Sequence, residues 1–90
     1  MPQSEPDPLD RIIGANIKRL RVSRGLSQAE LGACLPVTYQ QIQKYENGVN
    51  SVSAADLGRL TVALKCSIEE FFEVQAADSN KHGPGERGLP

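Results

Sequence analysis

The sequence of 90 residues predicts an all-α protein, a compact five-helix bundle. Five segments begin with Asp, Ser or Thr, whose side chains can cap a helix. Each carries an acid or amide three residues later, whose side chain can accept the backbone N–H of the capping residue. Apolar residues recur at helical spacing in the segments. The starts are Asp7 with Asp10, Ser27 with Glu30, Thr38 with Gln41, Ser53 with Asp56, and Ser67 with Glu70. Because capping and spacing agree, we expect only helices.

The length suits one small domain with tails. Residues 1–6 are Pro-rich and polar and are predicted to be a flexible lead-in, residues 7–74 form the domain, and the Gly/Pro-rich residues 75–90 are expected to be a disordered tail. No apolar run approaches the roughly 20 residues of a membrane span. Acids and prolines stand at the N-terminus, where a signal peptide would be basic and apolar. We therefore expect a cytoplasmic protein with no membrane partner.

The first helix is expected to start after Asp7, with Pro8 at the position where its missing N–H costs nothing. Gly25 can take the left-handed conformation and is predicted to end it. The apolar stripe of this helix consists of Ile13, Ile17 and Leu20.

The second helix is predicted from Gln28 to about Leu35. Gly32 would let the next helix approach closely; alternatively it only weakens the helix, by about 1 kcal/mol relative to alanine. We favour close approach, because helix starts eleven residues apart leave only a minimal connector. Pro36 forbids continuation and should bias Leu35 out of the helical region.

The third helix, Tyr39 to Glu46, should have two unlike faces and stop at Asn47-Gly48. The inner sector holds Thr38, Ile42, Tyr45 and Glu46. The opposite sector, here called the outer face, consists of Gln40, Gln43, Lys44 and Asn47. Amides can pair with an adenine edge, and lysine can reach guanine or phosphate, so this face suits a DNA major groove. The alternative is that this polar face is exposed only to water and binds no ligand.

The fourth helix opens at Ser53 and places Leu57, Leu60 and Leu64 on one face. A short fifth helix follows Ser67 and carries four apolar residues. Because two phenylalanines exceed what a small core can absorb, these four are candidates for a dimer interface, although some must serve the core. They are Ile68, Phe71, Phe72 and Val74.

The net charge of −1 gives little non-specific attraction to nucleic acid. Distribution matters more than the sum, because residues 9–74 hold eight Lys/Arg against seven Asp/Glu and the basic residues crowd the first helix. We expect a modest basic face. The crowded cations are Arg11, Lys18, Arg19, Arg21 and Arg24.

No metal, cofactor or catalytic site is expected. Cys34 and Cys66 have no metal-ligand spacing, and the sole histidine, His82, lies in the tail. No Ser/His/Asp or Cys/His set and no phosphate loop can be assembled, so the protein is not expected to be an enzyme. The cysteines are expected to be small buried hydrophobes, with a redox switch or disulfide as the alternative.

Three patterns resemble the lambda-repressor-like helix-turn-helix domain of the Cro/C1 (Xre) family. They are I-x-x-x-I-x-x-L-R-x-x-R-G-L-S-Q-x-E-L at Ile13–Leu31, I-x-x-Y-E-N-G at Ile42–Gly48, and L-x-x-L-x-x-A-L-x-x-S-I-x-x-F-F at Leu57–Phe72. The resemblance covers about two thirds of the chain, from Ile13 to Phe72. It implies a five-helix bundle whose third helix enters the major groove of DNA.

The resemblance also implies site residues. Gln28 would contact a phosphate, Asn47 would contact the DNA backbone, and Arg21 would pair with Glu46. Base and phosphate contacts would come from Thr38, Tyr39, Gln40, Gln43 and Lys44. Tyr39 borders the outer face, where it would touch a sugar or a thymine methyl, or else be partly packed.

This chain departs from the family in two places. Pro36 stands at the turn where the family usually has glycine, and proline cannot adopt the left-handed conformation. Gly32 replaces a usual alanine. The turn between the second and third helices, and with it the angle of the third helix, is therefore expected to differ.

We predict a sequence-specific DNA-binding transcriptional regulator that binds double-stranded DNA at a two-fold symmetric operator as a homodimer, because one domain offers only a few base contacts. The alternative is an antitoxin or other protein-interaction module of the same fold, with autoregulatory DNA binding. Co-purification with a small toxin would distinguish the two.

Overall fold

A computed structural model describes residues 7–74, which form four α-helices and one 3₁₀ helix. The helices are α1 (Pro8–Ser23), α2 (Gln28–Cys34), α3 (Tyr39–Glu46) and α4 (Ala54–Leu64), followed by the 3₁₀ helix Ile68–Phe72. Prediction and structure thus agree on an all-helical chain over these residues. The expected flexible lead-in and disordered tail lie outside the described residues.

Side-chain caps begin all four α-helices. The Asp7 carboxylate accepts from the Leu9 N–H at 2.8 Å. Ser27 and Glu30 form a complete capping box, with N–H to oxygen distances of 2.9 and 2.8 Å. The hydroxyls of Thr38 and Ser53 each accept an N–H three residues on, both at 3.1 Å. These bonds satisfy N–H groups that would otherwise have no partner in the helix, which is why the starts were readable from spacing.

The fifth segment is a 3₁₀ helix and not an α-helix, which corrects the five-helix prediction. It spans only five residues, and 3₁₀ helices occur as short pieces of this kind. Its end is held by a side chain from α1, since the buried Asn16 amide donates to the carbonyls of Phe71 and Glu73, both at 2.8 Å.

One apolar core lies between the helices. Leu31 and Ile42 join α2 and α3 to the stripe of α1, while Leu60 and Leu64 close it from α4. Phe71 is completely buried. Its aromatic ring belongs to this core, so Phe71 is withdrawn from the expected dimer interface.

The connector between α2 and α3 contains Pro36 without needing a left-handed residue. Leu35 is right-handed helical, with φ −87° and ψ −20°, so the expectation that Pro36 would displace it was wrong. The carbonyl of Gly32 accepts the N–H groups of Leu35 and Val37, at 3.1 and 2.8 Å, which closes the turn. A Cβ on Gly32 would stand 2.7 Å from the Val37 carbonyl oxygen, so the close approach expected at this glycine is to the connector.

Two glycines end helices as predicted. Gly25 and Gly48 follow α1 and α3, each with φ +73°. After α1, the N–H of Leu26 bonds to the Arg21 carbonyl at 3.1 Å, a helix-terminating pattern that needs the left-handed glycine.

Both cysteines are free, and Cys34 is exposed where a buried position was expected. It is the last residue of α2 and lies outside the core. Among residues 7–74 no helix has the length and apolar composition to cross a bilayer.

Candidate nucleic-acid interface

The outer face of α3 is exposed along its whole length. Gln40, Gln43, Lys44 and Asn47 all point away from the bundle. Tyr39 is 49% exposed at the start of the helix. Thr38 is also exposed, because it is the cap residue before the helix and not a member of its inner sector. The helix therefore offers amides, an amine and a phenol to solvent in one row.

The opposite face of α3 is fixed in the bundle. Ile42 is completely buried, and Tyr45 and Glu46 are 5% and 7% exposed. Gly14 of α1 permits this packing, since a Cβ there would overlap the Tyr45 carbonyl oxygen and stand 2.7 Å from that of Glu46. The backbone of α1 thus lies directly against the last turn of α3.

Arg21 and Glu46 form a two-pronged ion pair behind the outer face. Arg21 Nε donates to Glu46 Oε2 at 2.6 Å, and a terminal nitrogen donates to Oε1 at 3.1 Å. The other terminal nitrogen donates to the Leu26 carbonyl at 2.8 Å. Because the side chains are only 12% and 2% exposed, removing one partner would leave the other charge unpaired in the interior. The pair ties α1 to the end of α3.

Gln28 joins this ion pair. Its amide nitrogen donates to Glu46 Oε1 at 3.0 Å, which holds the first residue of α2 against the last residue of α3. The resemblance assigned Gln28 to a phosphate. An amide nitrogen has two hydrogens, so the bond to Glu46 leaves one available for that role.

Tyr45 links the inner face of α3 to the start of α4. Its hydroxyl donates to Asp56 Oδ2 at 2.7 Å, and Arg59 pairs with the other carboxylate oxygen at 2.8 Å. Burial raises the pKa of Tyr45 above its ordinary 10.0, the bond to Asp56 raises it further, and a bond from Gln41 opposes the rise. The neutral phenol is therefore the form that fits this site.

The basic cluster of α1 is largely used within the fold. Arg24 donates to the carbonyls of Leu64 and Lys65, at 2.8 and 3.2 Å, and so holds the C-terminus of α4. Arg19 lies 3.7 Å from the Glu73 carboxylate. With Arg21 also engaged, the basic face is smaller than the composition suggested.

Within residues 7–74, no three or more His, Cys, Asp or Glu side chains are grouped to hold a metal ion. The polar atoms gathered near α3 are instead suited to hydrogen bonding with a polar surface. A family model described as helix-turn-helix matches residues 17–71, the stretch containing these helices. The chain belongs to the helix-turn-helix family, of the Cro/C1 type.

Relatives of this helix-turn-helix protein are named as regulators. An uncharacterized HTH-type transcriptional regulator of Sinorhizobium medicae is 40% identical over 83 residues, covering 92% of this chain and 60% of the relative. A Rhizobium meliloti regulator matches to the same extent. The chain thus spans about three fifths of the length of these relatives.

Solved structures share the fold. The restriction-modification controller protein C.AhdI from Aeromonas hydrophila superposes with a TM-score of 0.66 at 27% identity, over 70% of this chain and 96% of that one. The P22 c2 repressor protein, solved in complex with a synthetic operator, gives a TM-score of 0.64 at 26% identity, over 68% and 92% of the two chains.

Sequence reasoning missed three residues that hold α3 and its neighbours in place. Asn16 was overlooked because a polar residue in a helix is usually solvated, and only the tertiary fold shows its partners. Gly14 carried a signal in principle, since a glycine inside a helix needs a packing reason. Asp56 was identified as a helix start, while its second bond, to Tyr45, was not foreseen.

Proposed function

We propose that this protein is a sequence-specific transcriptional regulator that binds a two-fold symmetric operator as a homodimer, with α3 in the major groove. Membership of the helix-turn-helix family supports DNA binding, and the P22 c2 repressor provides a relative in fold that was solved on an operator. The placement of α3 in the groove, the operator symmetry and the dimer are our inferences.

The observation that carries the proposal is the division of α3 into two faces. Every residue of the outer face is exposed and can donate hydrogen bonds, and the residues behind it are buried. An α-helix fits the major groove, where glutamine pairs with adenine and lysine with guanine or a phosphate. A helix used only for packing needs no such row of amides.

The network behind α3 supports the same conclusion. Base recognition requires side chains held in a fixed register, since phosphate contacts position a protein and base contacts give specificity. The Arg21–Glu46 pair and the Tyr45–Asp56 bond fix the end of α3 against α1 and α4. Their value lies in positioning more than in stability, because pairing gains are offset by desolvation.

Dimerisation is proposed to use apolar residues of the C-terminal segment. Ile68 and Phe72 are each 42% exposed and Val74 is 69% exposed, so three apolar side chains within seven residues leave surface in water. Two copies would place their α3 helices about one turn of DNA apart, the spacing at which both enter the same side of a duplex.

Matched truncations of two glutamines test the groove assignment. With a duplex selected from random DNA and a mixed-sequence duplex of equal length, Gln40→Ala is expected to weaken binding to the selected duplex and to reduce the preference for it, by about 1–3 kcal/mol. Gln28→Ala is expected to weaken both complexes alike. Wild-type affinity in both variants would show that α3 does not lie in the groove.

The salt dependence provides a second measurement. With few phosphate contacts, the logarithm of the binding constant should fall with the logarithm of salt concentration along a shallow slope, about 0.9 per phosphate neutralised. An affinity that does not change with salt would contradict DNA binding through this surface.

A further inference from the structure

The five cations of α1 and its C-cap divide into two groups, because three are bound to other groups of the protein whereas Arg11 and Lys18 have no such partner within residues 7–74. Arg19, Arg21 and Arg24 are bound to groups of the protein itself. Within residues 7–74, the guanidinium of Arg11 has no hydrogen-bond or ion-pair partner, and the side chain is exposed. Arg11 is therefore an arginine of α1 whose charge is available to a ligand.

Arg11 lies directly beside the end of α3. A Cβ built on Gly48 would stand 2.9 Å from Arg11 Cα and 3.0 Å from its Cγ, so the base of the arginine side chain packs on this glycine. Gly48 follows Asn47, the last residue of the outer face. The backbone and the first side-chain carbons of Arg11 thus lie at the border of the surface proposed to meet DNA, within a side chain's length of it.

The position of Arg11 is also fixed. The hydroxyl of Ser51, in the loop after α3, donates to Asp10 Oδ2 at 2.7 Å. This bond and the contact with Gly48 attach the first turns of α1 to that loop. A charge on a fixed backbone loses less entropy on binding than one on a flexible tail.

The loop itself cannot supply such a charge. Residues 47–52, Asn-Gly-Val-Asn-Ser-Val, contain no lysine or arginine. Phosphate neutralisation provides much of the affinity of proteins for DNA. Lys44 is the cation that α3 itself carries in its last turn, so a second cation beyond the end of the helix must come from a neighbouring element, and α1 is the element in contact.

We propose that Arg11 binds a phosphate of the DNA backbone beside the C-terminal end of α3. The proposal depends on the proposed function, because it assumes that α3 faces DNA. A guanidinium can hold two phosphate oxygens with paired N–H groups, so one arginine can provide both charge and orientation.

Arg11→Gln and Lys65→Gln form a matched pair that tests the proposal. Both remove one positive charge from an exposed side chain, but Lys65 follows α4, next to the carbonyls that bind Arg24. Affinities are measured for the selected duplex and for the mixed-sequence duplex over a series of salt concentrations, and thermal unfolding checks that each variant folds.

Arg11→Gln is expected to weaken binding to both duplexes alike, by about fivefold, and to reduce the salt slope by about one phosphate. Lys65→Gln should leave both quantities near wild type, and Arg11→Lys should restore most of the salt slope, because lysine keeps the charge. A loss due to packing alone would not be rescued in this way.

Two results would overturn the proposal. If Arg11→Gln and Lys65→Gln behaved alike, Arg11 would not touch DNA, while the preference of the wild-type protein for the selected duplex would leave the proposed function intact. If selection from random DNA yielded no duplex that the wild-type protein binds, and the mixed-sequence duplex was not bound either, both the proposed function and the role of Arg11 would be wrong.

Discussion

At the scale of single residues, Glu46 joins the end of α3 to both α1 and α2. Its two oxygens accept from Arg21, and one of them also accepts from Gln28. The family resemblance implied the partner Arg21. The bond to Gln28 could not be read from the sequence, because it depends on how α2 crosses the end of α3.

Breaking the ion pair from one side should cost more than replacing both partners. Arg21→Met is expected to lower the free energy of unfolding by about 3 kcal/mol, since it leaves the Glu46 carboxylate buried without its cation. The double variant Arg21→Met with Glu46→Met should be more stable than that single variant. Urea denaturation of both proteins provides the comparison, and a double variant less stable than Arg21→Met would contradict the expectation.

Tyr45 makes the stability depend on pH in alkaline solution. Its pKa is raised in the folded protein, so the native state keeps the phenolic proton more tightly than the unfolded chain. The resulting stability is fully present below the unfolded pKa of about 10 and is lost as the pH rises through the folded value.

Thermal unfolding above pH 10 should therefore show a steeper fall in stability for the wild-type protein than for Tyr45→Phe. At neutral pH the variant should be less stable by about 1–3 kcal/mol, because Asp56 loses a buried hydrogen-bond donor. Equal alkaline slopes in the two proteins would show that Tyr45 is not the group responsible.

At the scale of elements, close contact between α1 and α3 depends on Gly14. The helix starts and stops were predictable, because each depends on residues three or four positions apart. The crossing of α1 and α3 was not predictable, because a glycine within a helix has the same local cost whether or not another helix touches it.

Two glycine substitutions distinguish a glycine that another helix touches from one that nothing touches. Gly14→Ala should destabilise the protein by about 1–3 kcal/mol, since its Cβ would overlap the backbone of α3. Gly58→Ala, within α4, meets nothing within 4 Å and should stabilise it by up to about 1 kcal/mol through helix propensity. Chemical denaturation measures both effects, and a Gly14→Ala protein as stable as wild type would show that the helices do not touch there.

At the scale of the whole molecule, the C-terminal segment divides its apolar residues between two uses. Phe71 completes the core and Phe72 remains 42% exposed. The sequence indicated that some of the four apolar residues must serve the core, but adjacent phenylalanines gave no means of choosing. The direction of each ring is set by the 3₁₀ helix and by the Asn16 bonds that hold its end.

Phe72→Ser should shift the protein from dimer to monomer and weaken binding to the selected duplex, because each monomer would then bind one half-site alone. Val62→Ser is the control, since Val62 lies on α4 and is 77% exposed. Analytical ultracentrifugation gives the oligomeric state. A Phe72→Ser protein that remained dimeric would show that the dimer interface does not depend on this segment.

The sequence by itself determined where the α-helices begin, where α1 and α3 end, and which face of α3 is polar. Those features depend on neighbours within one or two helical turns, and the residues that encode them are adjacent in the chain. Only the tertiary structure decided that Asn16 holds a carbonyl 55 residues away, that most arginines of α1 serve the fold, and that Arg11 stands beside α3. Such pairings depend on how the helices pack, which no local spacing specifies.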